Sequence, residues 1–224
     1  MSQMRKTRCV VLISGRGSNL SAMLKATAQT EFPAEIVAVI SNKPDATGLV
    51  LAQQAGVSTQ VVPSMGVTDR DVYDQTLRSA IEQYAPDLVI LAGFMRILTP
   101  AFVNHYAGRM INIHPSLLPA FTGMHTHQRA LEAGVRIHGC TVHFVTAELD
   151  HGPIIAQAAV PVLADDDAST LAARVLREEH RIYPAAVRWF AEGRLSIDGL
   201  HVRLSDEETD PNALIAPNLG GKIV

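Results

Sequence analysis

The sequence predicts an α/β protein with a doubly wound, mostly parallel sheet and an antiparallel strand late in the chain. Three observations lead to this class. Short apolar runs, typical of buried strands, alternate with helical patterns from Cys9 to Met110, which favours right-handed crossovers between parallel strands. A glycine-rich turn follows the first apolar run directly. Residues 137–145 and 154–160 are predicted strands joined by a short turn, so they can pair antiparallel.

Composition limits the class of protein. The chain has 224 residues, of which 47% are hydrophobic and 18% are charged, as is typical of globular proteins. A formal net charge of -3 argues against a nucleic acid or an anionic membrane as the main partner. No apolar run approaches the roughly 18 residues of a membrane span. Cys9 and Cys140 lie in apolar surroundings and are predicted to be reduced, which indicates a cytoplasmic location.

Strands and helices alternate through the first half of the chain. Continuous apolar runs predict strands at 9–13, 36–40 and 88–92. A short third strand is predicted at 57–62, nearer the sheet edge. Helical patterns lie between them, at 20–26, 49–55 and 68–84. Asp69, Asp71 and Asp74 lie in or near the first turn of the last of these helices, where carboxylates complement the helix dipole.

The second half contains one more predicted strand at 110–114, then two helices, two strands and a hairpin. The helices are predicted at 128–133 and 169–192, the second capped by Ser169 or Thr170. Asp198-Gly199 predicts a hairpin between 194–197 and 200–204. We expect one domain over residues 8–204 and a partly disordered C-terminal tail over residues 205–224.

The turn Ser14-Gly15-Arg16-Gly17-Ser18-Asn19 joins a strand to a helix, an arrangement that can hold a phosphate with backbone N–H groups. A dinucleotide fingerprint would place glycine or alanine where Leu20 stands and an acid where Ser41 ends the second strand. There is also no Walker lysine, so a simple phosphomonoester is favoured over NAD or ATP. A tight turn with Ser18 or Asn19 as helix cap remains the alternative.

Two polar side chains end the strand at 110–114. Asn112 and His114 are two residues apart and therefore point to the same face, and Pro115 stops the strand. Ligands of open α/β sheets bind at this carboxyl end. The alternatives are that Asn112 caps a turn, that His114 is a core histidine, or that Ser116 is a nucleophile, although its flanking prolines do not give a nucleophile elbow.

Asp150, in a polar turn between the two late strands, completes a possible set with Asn112 and His114. An amide and a protonated imidazole can hold a tetrahedral oxyanion, and a carboxylate can hold the imidazolium or move protons, as acyl or formyl transfer requires. Asp150 as a turn cap is the alternative. His125 and His127 suggest a metal site only weakly, because no cysteine or glutamate completes a ligand set, and we expect no metal.

Six segments, in order, resemble the phosphoribosylglycinamide formyltransferase family, folate-dependent enzymes of purine synthesis. They are VLISGRGSNL, SNKPDATGL, YAPDLVILAGFMRIL, INIHPSLLPAF, HGCTVHFVTAELDHGPIIAQ and EEHRIYP. The resemblance runs from about Val10 to about Leu195 and implies a Rossmann-like formyltransferase fold. It also implies transfer of the formyl group of 10-formyltetrahydrofolate to the amine of glycinamide ribonucleotide.

The same resemblance implies residue roles. Asn112, His114 and Asp150 would be catalytic. The substrate phosphate and ribose would be held by Gly17, Ser18, Asn19 and Glu179. The folate would be held by Arg70, Met95, Arg96, Ile97, Leu98, Asn112, Ala147, Glu148, Leu149 and Asp150. Two positions depart from the family pattern: Leu176 stands where some members have glutamine, and His151-Gly152 stands where Gly-Gly is common.

Three other functions compete with this one. Formyltetrahydrofolate deformylase shares the catalytic pieces but carries a preceding regulatory domain, which we do not expect in a chain whose first strand begins at Cys9. Methionyl-tRNA formyltransferase shares the HPSLLP motif but adds a tRNA-binding domain and a basic face. A binding module without catalysis would not need Asn112, His114 and Asp150 together. A homodimer is compatible with the sequence.

Overall fold

The structure is a computed structural model that describes residues 5–207 and 214–216. The chain divides into two compact units, Met1–Ile111 and Asn112–Val224, which are described in turn. One domain over residues 8–204 remains a prediction. Most of the tail predicted to be partly disordered, at 208–213 and 217–224, lies outside the described residues.

The first unit is a parallel sheet with intervening helices. Its elements are β1 (Thr7–Ile13), α1 (Ser18–Thr27), β2 (Ala34–Ser41), α2 (Thr47–Gln54), β3 (Ser58–Val61), α3 (Arg70–Glu82), β4 (Leu88–Leu91) and α4 (Pro100–His105). The strands lie in the order β3-β2-β1-β4 and pair in parallel, so the predicted edge position of β3 is confirmed. The strand order reverses between β1 and β4, and such a switch point is where ligands bind in open α/β sheets.

Apolar runs and local caps explain these elements. Residues 9–13 of β1 are completely buried, as expected for a strand covered on both faces. Asp69 caps α3 by accepting hydrogen bonds from the N–H groups of Asp71 and Val72. The short helix α4 was not predicted, although Thr99 caps it and Pro100 occupies its first turn. Buried Asp74 accepts the Thr99 N–H at 2.6 Å and fixes where α4 begins.

The second unit contains the antiparallel part of the structure. Strand β5 (Met110–His114) begins in the first unit and ends in the second. The elements that follow are α5 (Thr126–Glu132), β6 (Ile137–Phe144), β7 (Ile154–Pro161), α6 (Ala168–Ala191), β8 (Leu195–Asp198), β9 (His201–Leu204) and β10 (Ile215–Ala216). The predicted antiparallel pair, β6 with β7, and the predicted hairpin, β8 with β9, are both confirmed. β7 also pairs in parallel with β9 and antiparallel with β10.

At two helix starts the structure differs from a cap that the sequence suggested, one as a prediction and one as an alternative. Ser169 or Thr170 as the cap of α6 was wrong, because Asp167 occupies that position and accepts the Thr170 N–H. The Thr170 hydroxyl accepts the Asp167 N–H in return, which completes a capping box. Helix α1 is preceded by Gly17 in a left-handed conformation, so neither Ser18 nor Asn19 is its cap.

The predicted fold class, a mostly parallel α/β sheet with antiparallel pairing late in the chain, is confirmed. In the part of the chain that the structure describes, no helix is both long and apolar enough to span a membrane.

Candidate active site

The glycine turn of the first unit is closely packed against the start of α2. Gly17 has φ 76°, and a Cβ there would lie 2.9 Å from the Cα of Gly48, so the turn requires glycine for both conformation and space. The Gly48 N–H donates to the Gly15 carbonyl at 3.0 Å. Helix α1 begins at Ser18 with no side-chain cap and no acidic residue in its first turn. These are the features that a backbone anion site requires.

The segment Gly93–Leu98 follows β4 and exposes apolar side chains. Met95 and Ile97 are 68% and 58% exposed. The guanidinium of Arg96 lies 3.9 Å from the centre of the Tyr73 ring, a cation–π contact. Tyr73 lies one helical turn after exposed Arg70, the first residue of α3. Of the residues predicted to bind folate, Arg96 therefore contacts α3, at a position one helical turn after Arg70.

The second unit brings His114 and Asp150 together. His114 Nδ1 lies 3.6 Å from Asp150 Oδ2, and their side chains are only 7% and 8% exposed. His114 Nε2 lies 3.0 Å from the carbonyl oxygen of Phe121. A carbonyl only accepts hydrogen bonds, so Nε2 must carry a proton. His114 therefore donates from Nε2 to Phe121, while its Nδ1 faces the Asp150 carboxylate at ion-pair distance.

Asp150 is fixed by its backbone and by the loop that follows β5. Its φ of 53° is left-handed, a conformation that aspartate and asparagine adopt more readily than other residues with a side chain. Its Oδ2 accepts the Gly123 N–H at 2.8 Å. Asp150 therefore bridges loop residue Gly123 and His114, rather than only capping its own turn.

Asn112 is held by a residue that the sequence did not indicate. Asn112 Nδ2 lies 3.2 Å from Nε2 of His143, and His143 Nδ1 lies 2.9 Å from the carbonyl oxygen of Phe144. That carbonyl requires a proton on Nδ1, which leaves Nε2 as an acceptor for the Asn112 amide. Burial lowers the pKa of His143 and so favours the neutral ring that this geometry needs.

The HPSLLP loop is tied to β6 and β7 by buried polar groups. The Thr141 hydroxyl donates to the Ser116 carbonyl at 2.7 Å and accepts the Leu118 N–H at 3.0 Å. Gln157 Nε2 donates to the Leu118 carbonyl at 2.9 Å. The Ser116 hydroxyl donates its proton to the Ala120 carbonyl at 2.6 Å and so closes the loop, whereas a nucleophile would donate it to a base. These bonds hold the segment whose Phe121 carbonyl contacts His114.

The histidines considered for a metal do not form one site. His125 is exposed and precedes α5 in a left-handed conformation, whereas His127 Nδ1 lies 3.2 Å from His138 Nε2. Among residues 5–207 and 214–216, no three His, Cys, Asp or Glu side chains are grouped to hold a metal ion. Burial raises the pKa of both cysteine thiols, Cys9 and Cys140, which disfavours a nucleophilic thiolate.

The predicted folate loop and Glu179 belong to the second unit. Ala147, Glu148 and Leu149 are exposed and immediately precede Asp150. Glu179 is buried in α6, one turn after half-buried Leu176. The other predicted phosphate and ribose residues, Gly17, Ser18 and Asn19, belong to the first unit.

Comparison with known proteins identifies the family. Residues 7–187 match the model of the family described as formyl transferase. The chain belongs to the formyl transferase family. It is 51% identical over 207 residues to phosphoribosylglycinamide formyltransferase of Escherichia coli, covering 92% of this chain and 98% of that protein. A relative of the same name in Haemophilus influenzae is 45% identical over 190 residues, covering 85% of this chain and 90% of that one.

Solved structures of formyl transferases have the same fold. The glycinamide ribonucleotide transformylase 1 of Symbiobacterium toebii superposes with a TM-score of 0.87 at 48% identity, covering 90% of this chain and 95% of that chain. A formyltetrahydrofolate deformylase from Pseudomonas putida superposes with a TM-score of 0.81 at 28% identity, covering 91% of this chain and 72% of that chain.

The two residues of the His151-Gly152 turn have different structural settings in this formyl transferase. His151 is exposed, and its ring lies 3.9 Å from the Glu148 carboxylate, so it does not crowd the turn. Gly152 has no room for a side chain, because a Cβ there would lie 1.7 Å from the Phe144 carbonyl oxygen. Only the second position of the turn therefore requires glycine.

Proposed function

We propose that the chain transfers the formyl group of 10-formyltetrahydrofolate to the amine of 5-phosphoribosylglycinamide, giving formylglycinamide ribonucleotide and tetrahydrofolate. The observation that carries this proposal is the identity of 51% to the Escherichia coli relative of that activity over nearly the full length of both chains. The buried pairing of His114 with Asp150 and the anchored amide of Asn112 supply chemistry suited to formyl transfer.

In the proposed reaction the substrate amine attacks the formyl carbon and a tetrahedral oxyanion forms. Asn112 has one amide N–H committed to His143, which leaves the other to stabilise the oxyanion. Loss of one such donor costs on the order of 10²–10³ in rate. The amine must then lose a proton while the leaving nitrogen of the folate gains one.

His114 and Asp150 are proposed to stabilise charge and to move protons during the reaction. The carboxylate of Asp150 stabilises the imidazolium form of His114 and can move a proton through a water, a contribution of roughly 10²–10⁴ in rate. His114 directs its Nε2–H at the Phe121 carbonyl. A direct contact between this N–H and the oxyanion therefore requires the bond to Phe121 to exchange for one to the substrate.

Substrate binding is proposed for residues whose setting fits each group. The N–H groups at the start of α1, with Gly17, Ser18 and Asn19, suit a phosphate, and Glu179 suits the ribose. Exposed Met95 and Ile97, with Arg96 and Leu98, suit the folate ring. Arg70 suits the acidic end of the folate. The turn at residues 147–150 is proposed to contact the folate as well. A cytoplasmic location and a homodimer are also proposed, the second to be tested by sedimentation.

The proposal is tested by following tetrahydrofolate release from 10-formyltetrahydrofolate, with and without the ribonucleotide. We expect release only with the ribonucleotide. Release without any amine would instead assign the deformylase reaction. This reaction is the second candidate, because the chain is also similar to the Pseudomonas putida deformylase structure. No release in either mixture would contradict both reactions and leave a binding protein.

Two variants test the catalytic roles. His114→Ala and Asp150→Asn are each expected to lower kcat by about 10²-fold or more. Asparagine also tolerates the left-handed conformation of residue 150, so Asp150→Asn should fold. His201→Ala, which removes an exposed histidine of β9, is the control and should keep the wild-type rate. Full activity of either test variant would contradict its role.

A further inference from the structure

Ser14 occupies the switch point of the first unit. It is the residue after β1, at the carboxyl end of the strand that lies between β2 and β4. It is only 6% exposed, and it is also the first residue of the glycine turn. None of the roles proposed above uses its hydroxyl.

Two hydrogen bonds join Ser14 to the segment after β4. The Ser14 N–H donates to the Gly93 carbonyl at 3.1 Å. The Met95 N–H in turn donates to the Ser14 hydroxyl oxygen at 2.7 Å. Gly93, with φ 76°, makes the turn that brings Met95 back over Ser14. The main chain of residues 93–95 is therefore held at both ends by one serine.

The Ser14 hydroxyl is itself oriented by a second buried side chain. Its single proton is donated to Asn42 Oδ1 at 2.6 Å, so its lone pairs face the Met95 N–H. Asn42 is 5% exposed and follows β2. Its Nδ2 donates to the Ser64 hydroxyl at 3.1 Å, and the Ser64 N–H donates to the Asn42 carbonyl at 3.2 Å. In the chain of hydrogen bonds from Ser64 through Asn42 and Ser14 to Met95, donor and acceptor are therefore fixed for each bond.

We infer that Ser14, oriented by Asn42, is a positioning residue for the folate co-substrate. It fixes the main chain at Met95 and so sets how residues 95–98 present their side chains. This inference rests on the proposed function, because it assigns those residues to the folate. Loss of the hydroxyl removes the acceptor of the part-buried Met95 N–H, and a shift of residues 93–95 that gives this N–H another partner is then favoured over leaving Met95 in place.

The same serine connects two proposed substrate sites. Ser14 is the first residue of the turn proposed for the phosphate, which continues through Gly15 and Gly17. Its hydroxyl is also hydrogen-bonded to Met95, in the segment proposed for the folate. A shift of the segment after β4 is expected to weaken folate binding more than ribonucleotide binding, because the phosphate turn keeps its own anchor, the Gly48 N–H on the Gly15 carbonyl.

The test compares steady-state kinetics of the full chain as wild type, Ser14→Ala, Ser14→Thr and Ser79→Ala. Ser79→Ala is the matched control, because Ser79 is exposed and its hydroxyl donates only within α3, to Gln75. We expect Ser14→Ala to raise the KM for 10-formyltetrahydrofolate about tenfold, which is the loss of one hydrogen bond. Its kcat should stay within about twofold of wild type. Ser14→Thr retains the hydroxyl, so its KM for 10-formyltetrahydrofolate should be close to the wild-type value.

A purely structural role for Ser14 would lower the melting temperature and kcat with KM unchanged, and that result would overturn the inference. Two readouts do not depend on turnover: tetrahydrofolate binding by calorimetry, and protection of the Met95 amide from solvent exchange by NMR. Both should be weakened in Ser14→Ala only. If the wild type shows no transfer, the proposed function fails, and these two readouts still decide the inference: retained binding or protection in Ser14→Ala overturns it.

Discussion

Asn112 Nδ2 lies 3.2 Å from Nε2 of His143, which links a proposed catalytic amide to a buried neutral imidazole. The Phe144 carbonyl fixes which nitrogen of His143 carries the proton. The imidazole therefore acts as an acceptor that selects one orientation of the Asn112 amide. His143 touches Asn112 rather than the reacting atoms, so its effect on catalysis is one of positioning.

Replacement of His143 by alanine is expected to lower kcat by about 10–100-fold, because the Asn112 amide is then free to rotate away from the oxyanion. The loss should be smaller than that of Asn112→Ala, and the double variant should be no slower than Asn112→Ala alone. Steady-state kinetics measures each value. His201→Ala is the control, and additive losses in the double variant would contradict the positioning role.

The turn after Asp150 gives a matched pair of substitutions. Gly152→Ala places a Cβ against the Phe144 carbonyl, within 1.7 Å before any relaxation, and should destabilise the fold by about 2–4 kcal/mol. His151→Gly removes an exposed side chain and should change the free energy of unfolding by less than about 1 kcal/mol. Urea denaturation measures both. Equal effects of the two substitutions would show that the packing of Gly152 is not what the turn requires.

Tyr73 is expected to hold Arg96 through its ring face. Tyr73→Leu removes the cation–π contact, worth about 0.5–2 kcal/mol, and should raise the KM for the folate several-fold. Tyr73→Phe keeps the ring and loses only the hydroxyl bond to the Val62 carbonyl, so it should cost stability but leave this KM unchanged. A higher KM in both variants would mean that the hydroxyl, rather than the ring face, controls Arg96.

Local sequence signals were sufficient for most of the fold. The continuous apolar runs of β1 and β4 and the Asp198-Gly199 turn each specify a local structure that burial or hydrogen bonding then stabilises. Asn112 and His114 predicted the candidate site because buried strands are mostly apolar, so two polar side chains toward the end of β5 stand out. The cap of α6 was predicted wrongly, although Asp167 and Thr170 have the spacing of a capping box.

The partners of the site residues could not be predicted in this way. Asn112 and His143 are 31 residues apart in sequence, and their contact depends on the register of β6 beside β5. The acceptor for His114 is the main-chain carbonyl of Phe121, and any residue at that position supplies the same group. Sequence chemistry identifies side chains, whereas these contacts are set by tertiary packing.

The lowered pKa of buried His138 predicts how the stability of the protein depends on pH. Burial lowers its pKa from 6.5 to about 4, with a further contribution from nearby His127. Its Nε2 lies 3.2 Å from His127 Nδ1. A hydrogen bond to the Pro115 backbone acts in the opposite direction and raises the pKa, but burial outweighs it, so the folded state favours the neutral ring. Between pH 6.5 and 4 the unfolded chain binds a proton at this residue that the folded chain does not bind.

The free energy of unfolding should therefore be fully retained above pH 6.5 and fall by up to about 3 kcal/mol as the pH is lowered to 4. Urea denaturation across this range is the measurement, and His138→Gln is the comparison. The variant starts from a lower stability at pH 7.5, because its hydrogen bonds differ, but its loss between pH 6.5 and 4 should be shallower than that of the wild type. Parallel curves for the two proteins would mean that His138 does not bind its proton preferentially in the unfolded chain.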